Sequence, residues 1–154
     1  MNTFKKLISL FIFSLVFTTS TQAEWKVDVG SDSVTAGTVK AGSGIMITTS
    51  QEAGVELVIV GKMPSLHLAY ELVTFTVDGQ SHQMYMKASK LPDGFVMLRD
   101  DIDVNYKPED AYLLGALMTG NNVTFAIDPY QFTHSLQGSK RAVLESLEIS
   151  MTQF

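Results

Sequence analysis

Residues 112–147 read YLLGALMTGNNVTFAIDPYQFTHSLQGSKRAVLESL, and this stretch carries most of the information about the fold. Its hydrophobic period is helix-like at first, alternating on either side of Asp128-Pro129, and helix-like again after Gly138. The stretch therefore predicts a helix, two strands and a second helix. The first helix should begin at Pro108, because proline has no N–H to leave unpaired and the acids that follow favour the positive end of a helix.

The inward faces of the two helices follow from the spacing of their apolar residues. The first helix should run to about Met118, and Gly120 should end it. Its predicted buried stripe consists of Ala111, Leu114, Leu117 and Met118. The second helix opens at Gly138-Ser139, and its predicted inward residues are Val143, Leu144 and Leu147.

The chain before these helices alternates between apolar and polar residues over short runs, which is typical of strands. Residues 25–29 predict a first strand, and the tryptophan that opens it should be a core anchor at the edge of the sheet. Residues 31–44 are rich in Gly, Ser and Thr, so we expect turns there around at most one short strand at 38–40. Residues 45–49 and 55–60 predict a hairpin whose second strand is central, because it is nearly continuous in apolar residues.

The strongest short-range hairpin signal is Asp78-Gly79, which separates two alternating runs at 70–77 and 80–87. A type I′ turn requires positive φ at both central residues, and this dipeptide is among those that adopt it most readily. With a two-residue loop, the side chains that share one face and should enter the core are Val73, Phe75, Val77, Met84 and Met86. In this register His82 shares that face as well.

Together these patterns predict a mainly β protein, an antiparallel β-sandwich with two short α-helices in the C-terminal third. Residues 24–154 are of a usual size for a single domain with its own core. The chain contains no Cys, so disulfides, cysteine nucleophiles and thiolate metal sites are excluded. Packing of the core must therefore be sufficient for stability.

The start of the chain predicts a cleaved signal peptide. Lys5 and Lys6 form a charged beginning, residues 7–17 an apolar run, and residues 21–23 a small-residue cleavage pattern. The apolar run is about half of the ~20 residues that a membrane span requires, so cleavage near Ala23 is favoured over stable insertion. We therefore expect a periplasmic or secreted protein.

The charge of the chain disfavours two classes of partner. The formal net charge is −5 for the whole sequence, and it becomes more negative when the two leader lysines are removed. Nucleic acid and anionic membrane surfaces are therefore disfavoured as partners.

Asp101, Asp103 and Asn105, followed by Tyr106, form the sharpest candidate binding segment. Oxygen-bearing side chains at alternate positions imitate the start of a calcium loop, which also requires Gly after the third ligand and Glu at the twelfth position. Those two positions hold Tyr106 and Tyr112 instead. The alternative is one solvated strand face that leads into an acid-capped helix. We therefore predict a binding surface with no metal and no cofactor.

The sequence shows no catalytic motif, since a nucleophile elbow, a zinc-protease helix and a P-loop are all absent. His67, His82 and His134 are far apart, and structural roles are the default interpretation for them. Carboxylates can still meet in space, so a hydrolase of envelope glycans or lipids that uses acids from residues 100–110 stays open as an alternative. The favoured prediction is that the protein is not an enzyme.

Four segments occur in an order that resembles a known group of exported proteins: EWKV (24–27), VTFTVDGQ (73–80), LLGALMTGNNVTFAI (113–127) and FTHSLQGSKRAVLESL (132–147). The chain resembles the β-sandwich proteins of the invasion-associated locus B type and the VasI-like proteins found with type VI secretion systems. The residues that match a terminal strand, turn and helix are Phe132, Ser135, Leu136, Gly138, Ala142 and Leu147. Many such proteins carry paired cysteines, which this chain lacks. The resemblance implies a sandwich fold and export, and it brings no catalytic residue.

The sequence thus predicts a non-enzymatic periplasmic or secreted module that binds another envelope or secreted protein, in association with a secretion system or a host. Two alternatives remain. One is a periplasmic immunity or inhibitor protein against an envelope-targeting enzyme, and the other is the envelope hydrolase. The sequence does not determine the oligomeric state.

Overall fold

The computed structural model describes residues 24–40, 42–67 and 69–154, so the predicted leader lies outside the described residues. The described chain forms nine strands and two α-helices, with one 3₁₀ turn at Pro92–Gly94. In chain order the elements are β1 (Lys26–Val29), β2 (Ser33–Lys40), β3 (Ser43–Ser50), β4 (Gly54–Lys62), β5 (Tyr70–Val77), β6 (Gln80–Lys90), β7 (Phe95–Asp101), α1 (Pro108–Thr119), β8 (Asn122–Ile127), β9 (Tyr130–Ser135) and α2 (Ser139–Gln153).

All nine strands belong to one antiparallel sheet, in the order β1-β2-β3-β4-β7-β6-β5-β8-β9. The prediction of a mainly β protein with two helices in the C-terminal third is confirmed. The predicted sandwich of two separate sheets is not confirmed. The reason lies in β7, which pairs with β4 on one side and with β6 on the other and so joins the two halves.

The sheet is folded over so that its last strand approaches its first strands. Trp25 is buried, and its indole Nε1 donates a hydrogen bond of 3.1 Å to the carbonyl oxygen of Ser135, at the end of β9. The Ser43 hydroxyl and the His134 Nε2 atom lie 2.8 Å apart and are hydrogen-bonded. The prediction that the opening tryptophan anchors the core at the sheet edge is therefore confirmed.

The main core fills the space that the folded sheet encloses. Its largest fully buried side chains include Phe75, Phe125, Ile45, Ile47, Leu57, Ile59, Met63, Met86, Leu98 and Leu117. Helix α2 contributes Ala142 and Val143 to the same cluster. A second, smaller cluster on the opposite face of the sheet consists of Met46, Val58, Val60 and Met97.

The predicted hairpin at Asp78-Gly79 is confirmed in both turn and register. The two residues have φ of 47° and 87°, and Val77 pairs with Gln80. The Asp78 carboxylate also accepts hydrogen bonds from the backbone N–H groups of Asn121 and Asn122, which lowers the pKa of that carboxyl. The turn therefore fixes the chain between α1 and β8 as well as its own hairpin.

The prediction of turns over residues 31–44 is wrong, because β2 occupies Ser33–Lys40 and is mostly buried. Its small residues serve close packing. At Gly37 an added Cβ would lie 2.5 Å from the Cγ atom of Met46 on β3. The Gly, Ser and Thr content of this segment therefore reflects tight contacts rather than loops.

Both of the predicted helix faces are also partly wrong. Helix α1 spans Pro108–Thr119 as expected, but Ala111 is exposed and Leu113 is buried. In α2, Leu144 is 49% exposed, whereas Ser146 and Ser150 point inward. These serine hydroxyls donate to the carbonyl oxygens of the residues three positions earlier, so small polar side chains can face the sheet at close range. Neither described helix is long and apolar enough to cross a membrane.

Candidate functional site

The predicted binding segment forms a turn rather than the predicted strand face. Strand β7 ends at Asp101, and the carboxylate of Asp103 accepts hydrogen bonds of 3.2 Å from the N–H groups of both Asn105 and Tyr106. Asp103 is thereby occupied in stabilising the turn. Tyr106 is 85% exposed and Val104 46%, so these two residues present apolar surface from the segment.

Asp110 ties this turn to helix α1. Its side chain is only 6% exposed, and its Oδ2 atom accepts a hydrogen bond of 2.9 Å from the backbone N–H of Asp103. The Oδ1 atom of Asp103 and the Oδ2 atom of Asp110 therefore have backbone partners. Among residues 24–40, 42–67 and 69–154, no group of three His, Cys, Asp or Glu side chains is arranged to hold a metal ion.

Strands β6 and β7 separate next to this turn. Their ladder covers only Lys87–Lys90 against Val96–Arg99, with Lys87 opposite Arg99. In that register Asp101 would lie opposite Tyr85. Instead β7 stays with β4, where Asp101 pairs with Glu56, and it leaves the first part of β6 without a strand on that side in the described structure.

A cleft of about 240 Å³ lies between this part of β6 and the first turns of α1. We call it the β6–α1 cleft. Its lining residues are Ser81, His82, Gln83 and Met84 from β6, and Glu109, Asp110, Tyr112 and Leu113 from α1. The Nε2 atom of His82 is buried and has no hydrogen-bond partner among the described residues. The sequence placed His82 on the core face, but it gave no sign that this face opens into a cleft.

Two carboxyl groups near the β4–β7 pair have raised pKa values. Burial is the main cause for Glu56, which is 5% exposed; Arg99 lowers its pKa, and the Asp101 and Asp100 charges raise it. Burial is also the main cause for Asp100, opposed by Lys107. The ion pairs are long, at 3.9 Å for Arg99–Glu56 and 3.8 Å for Lys107–Asp100. Sequence reasoning missed Glu56, because the polar segment at residue 100 showed no link to β4.

We expect Glu56→Gln to raise the free energy of unfolding at pH 7. A raised folded-state pKa means that folding disfavours the charged form, and Gln removes the charge while keeping the shape. The gain should shrink as the pH falls through the raised folded-state pKa, and it should be lost below the ordinary Glu value of 4.5, where the wild-type carboxyl is protonated in both states. Urea unfolding of both proteins at pH 7 and pH 4.5 measures this. Lower stability of the variant at pH 7 would mean that the Arg99 ion pair outweighs the cost of burial.

A group of exposed apolar side chains lies on the outer face of β5 and β6. Tyr70 is 69% exposed, Leu72 41% and Tyr85 65%. Leu72 is directly opposite Tyr85, and Tyr70 is one diagonal position away, so the three side chains are neighbours. We call them the outer ridge. The alternating pattern of the sequence did not bring these three side chains together.

The three histidines lie in different surroundings. His134 is 2% exposed and stacks on Phe125, with ring centroids 5.7 Å apart and an interplanar angle of 4°. Burial is the main cause that lowers its pKa to about 4, and the Lys40 charge acts in the same direction. His67 is exposed, and His82 is partly buried in the cleft. His134 is therefore a structural side chain, which agrees with the default interpretation of the sequence.

Comparison with known proteins gave no relatives: no protein-family model, no curated protein and no solved structure matched the chain. The features that bear on function are therefore those of the chain itself. They are the outer ridge, the β6–α1 cleft, and the turn that contains Asp103.

Proposed function

We propose that this chain is a non-enzymatic module that binds another protein through the outer ridge. The observation that carries the proposal is the exposure of Tyr70, Leu72 and Tyr85 as neighbours on one sheet face. Tyrosine is among the residues that contribute most to binding at protein interfaces, because a rigid ring covers apolar area while its hydroxyl remains hydrogen-bonded. A surface of this kind favours a protein partner.

The carboxylates of the candidate segment support the same choice over the hydrolase alternative. Asp103 and Asp110 both accept backbone hydrogen bonds, so their geometry is explained by the turn that they stabilise. Glu56 lies beside Arg99 and is almost fully covered. These positions give Asp103, Asp110 and Glu56 structural roles.

The proposed location is the periplasm or the exterior, with a partner from the envelope or among secreted proteins. Residues 1–23 support it by their charged start, apolar run and cleavage pattern. The resemblance to the invasion-associated locus B type and to VasI-like proteins supports export and a sandwich. We further propose that the two halves of the folded sheet, joined through β7, correspond to the layers of that sandwich. An immunity or inhibitor function would use the same ridge and differ only in its partner.

We expect the double substitution Tyr70→Ser and Tyr85→Ser to reduce recovery of the partner about tenfold or more, since interface hot spots contribute ~2 kcal/mol or more each. The mature chain, residues 24–154, is immobilised and exposed to envelope extract, and bound proteins are quantified by mass spectrometry. Met151→Ser is the matched control, because Met151 is 79% exposed and lies on α2. Equal losses with the control, or a partner that is recovered undiminished by the ridge variant, would reject the ridge as the binding surface.

A further inference from the structure

We propose that the first part of β6 accepts an extended, basic segment of the partner as an additional strand. This inference rests on the proposed function, because it takes the partner to be a protein. The site consists of the backbone of Ser81, Gln83 and Tyr85, which we call the β6 edge. Strand addition of this kind uses main-chain hydrogen bonds for affinity and neighbouring side chains for specificity.

The direction of the backbone groups follows from the hairpin. In an antiparallel pair, every second residue exchanges hydrogen bonds with its neighbouring strand, and the residues between point their N–H and C=O groups away. Val77 and Gln80 close the two-residue turn, and the Ala88 N–H donates to the Ala69 carbonyl 2.9 Å away. Even-numbered residues of β6 therefore bond to β5, and the β6 edge faces the opposite side.

No strand occupies that side in the described structure. The ladder with β7 begins at Lys87, and none of the described residues pairs with the backbone groups of the β6 edge. An unpaired strand edge is a template for another strand. Ser81 and Gln83 line the β6–α1 cleft, so their free backbone groups face an open space rather than a packed one.

The chemistry of the cleft selects the kind of segment. Both charged groups that line it, Glu109 and Asp110, are acidic. An incoming segment with Lys or Arg would complement them, and a polar group of that segment could pair with the buried Nε2 atom of His82. A segment of about five residues would span the edge at ~3.3 Å per residue. It would end beside Tyr85, where the outer ridge begins.

The probe is a soluble octapeptide of alternating Lys and Thr, blocked at both ends, and it is titrated into ¹⁵N-labelled residues 24–154. We expect shifts in the amide signals of Ser81, Gln83 and Tyr85, and slower hydrogen exchange at these amides when the peptide is bound. The same peptide with N-methyl groups on every second peptide nitrogen is tested in both possible sets. Because one set blocks the pairing edge, we expect at least one of them to bind about tenfold more weakly. An octapeptide of alternating Glu and Thr should not bind.

Gln83→Pro removes one donor from the β6 edge while leaving the bonds to β5 intact, because Gln83 points away from β5. We expect it to weaken peptide binding about tenfold. Gln83→Ala keeps the N–H group and removes only the side chain, which donates to the Thr74 hydroxyl, and it should bind like the wild type. The N-methylated peptides, used with wild-type protein, keep the test valid if the proline variant does not fold.

Any of four results would overturn the inference. Three of them are no binding of the Lys-Thr peptide, binding of both N-methylated sets as tight as that of the unmodified peptide, and free-protein amides at Ser81, Gln83 and Tyr85 that already exchange slowly. The fourth is self-association of the wild-type protein that is lost in the Gln83→Pro variant, since the edge would then bind a second copy of the chain. If the ridge variants lose the envelope partner while any of these results is found, the edge inference fails and the proposed function stands. If no envelope partner depends on the ridge, the proposed function itself fails.

Discussion

Replacing Phe125 with Ala is expected to lower the free energy of unfolding by about 3–5 kcal/mol, the range for truncating a buried aromatic residue. Phe125 is 0% exposed and lies where three other rings meet. Its ring centroid is 6.4 Å from that of Phe75, 5.3 Å from that of Phe132 and 5.7 Å from that of His134. The substitution leaves a cavity between β5, β8 and β9, where the folded sheet is closed.

Urea unfolding of residues 24–154 at pH 7 measures this loss. Phe154→Ala is the control, because Phe154 lies at the end of the chain and is 38% exposed. We expect the control to change stability by less than about 0.5–1 kcal/mol. A loss below about 1 kcal/mol at Phe125 would contradict the packing described around β9.

Stability should fall by about 3 kcal/mol between pH 6.5 and pH 4 because of His134 alone. Its folded-state pKa is about 4, below the ordinary value of 6.5. The contribution of the neutral ring to the free energy of unfolding is therefore complete above pH 6.5. It is lost as the pH falls toward 4, because the unfolded chain takes up a proton first. The gap between the two pKa values corresponds to about 3 kcal/mol at ~1.4 kcal/mol per pKa unit.

The test replaces both members of the buried pair, because removing one would leave the other without a partner. The double variant Ser43→Ala, His134→Phe cannot titrate at position 134 and keeps an aromatic ring against Phe125. We expect its unfolding free energy to fall about 3 kcal/mol less than that of the wild type between pH 6.5 and pH 4. Ser43→Ala alone should keep the acid sensitivity. Parallel pH curves for wild type and double variant would contradict the role given to His134.

Local sequence signals predicted the parts of the fold that local physics controls. Asp78-Gly79 determined a hairpin and its register because only a few dipeptides adopt positive φ at both turn positions. Pro108 marked the start of α1, because proline has no N–H to leave unpaired in the first turn. In contrast, the small residues of β2 predicted turns, because their role depends on the distant Met46 and on helix α2. Tertiary contacts override composition at such positions.

The arrangement of strands was harder to predict than the strands themselves. A sandwich and a folded single sheet share the same alternating pattern, and only the double pairing of β7 distinguishes them. The predicted inward position of Leu144 failed for a related reason. Helix α2 packs against β2, and its buried residues include Ser146 and Ser150. A pattern of hydrophobic residues does not predict that serines are buried.

The candidate site was predictable only in part. Asp101, Asp103, Asn105 and Tyr106 follow the point where β6 and β7 separate, but none of them lines the β6–α1 cleft. The cleft itself was missed, because its lining residues, such as Gln83 and Glu109, come from elements far apart in the chain.

The most direct test of a protein-binding outer ridge is site-specific photo-cross-linking in cells that produce the protein natively. A photoreactive aromatic amino acid is placed at Tyr70 or Tyr85, and at Met151 as an exposed control. We expect a discrete cross-linked product with one other protein from both ridge positions and none from Met151. Cross-linking that is absent at the ridge, or equal at Met151, would contradict the proposed binding surface.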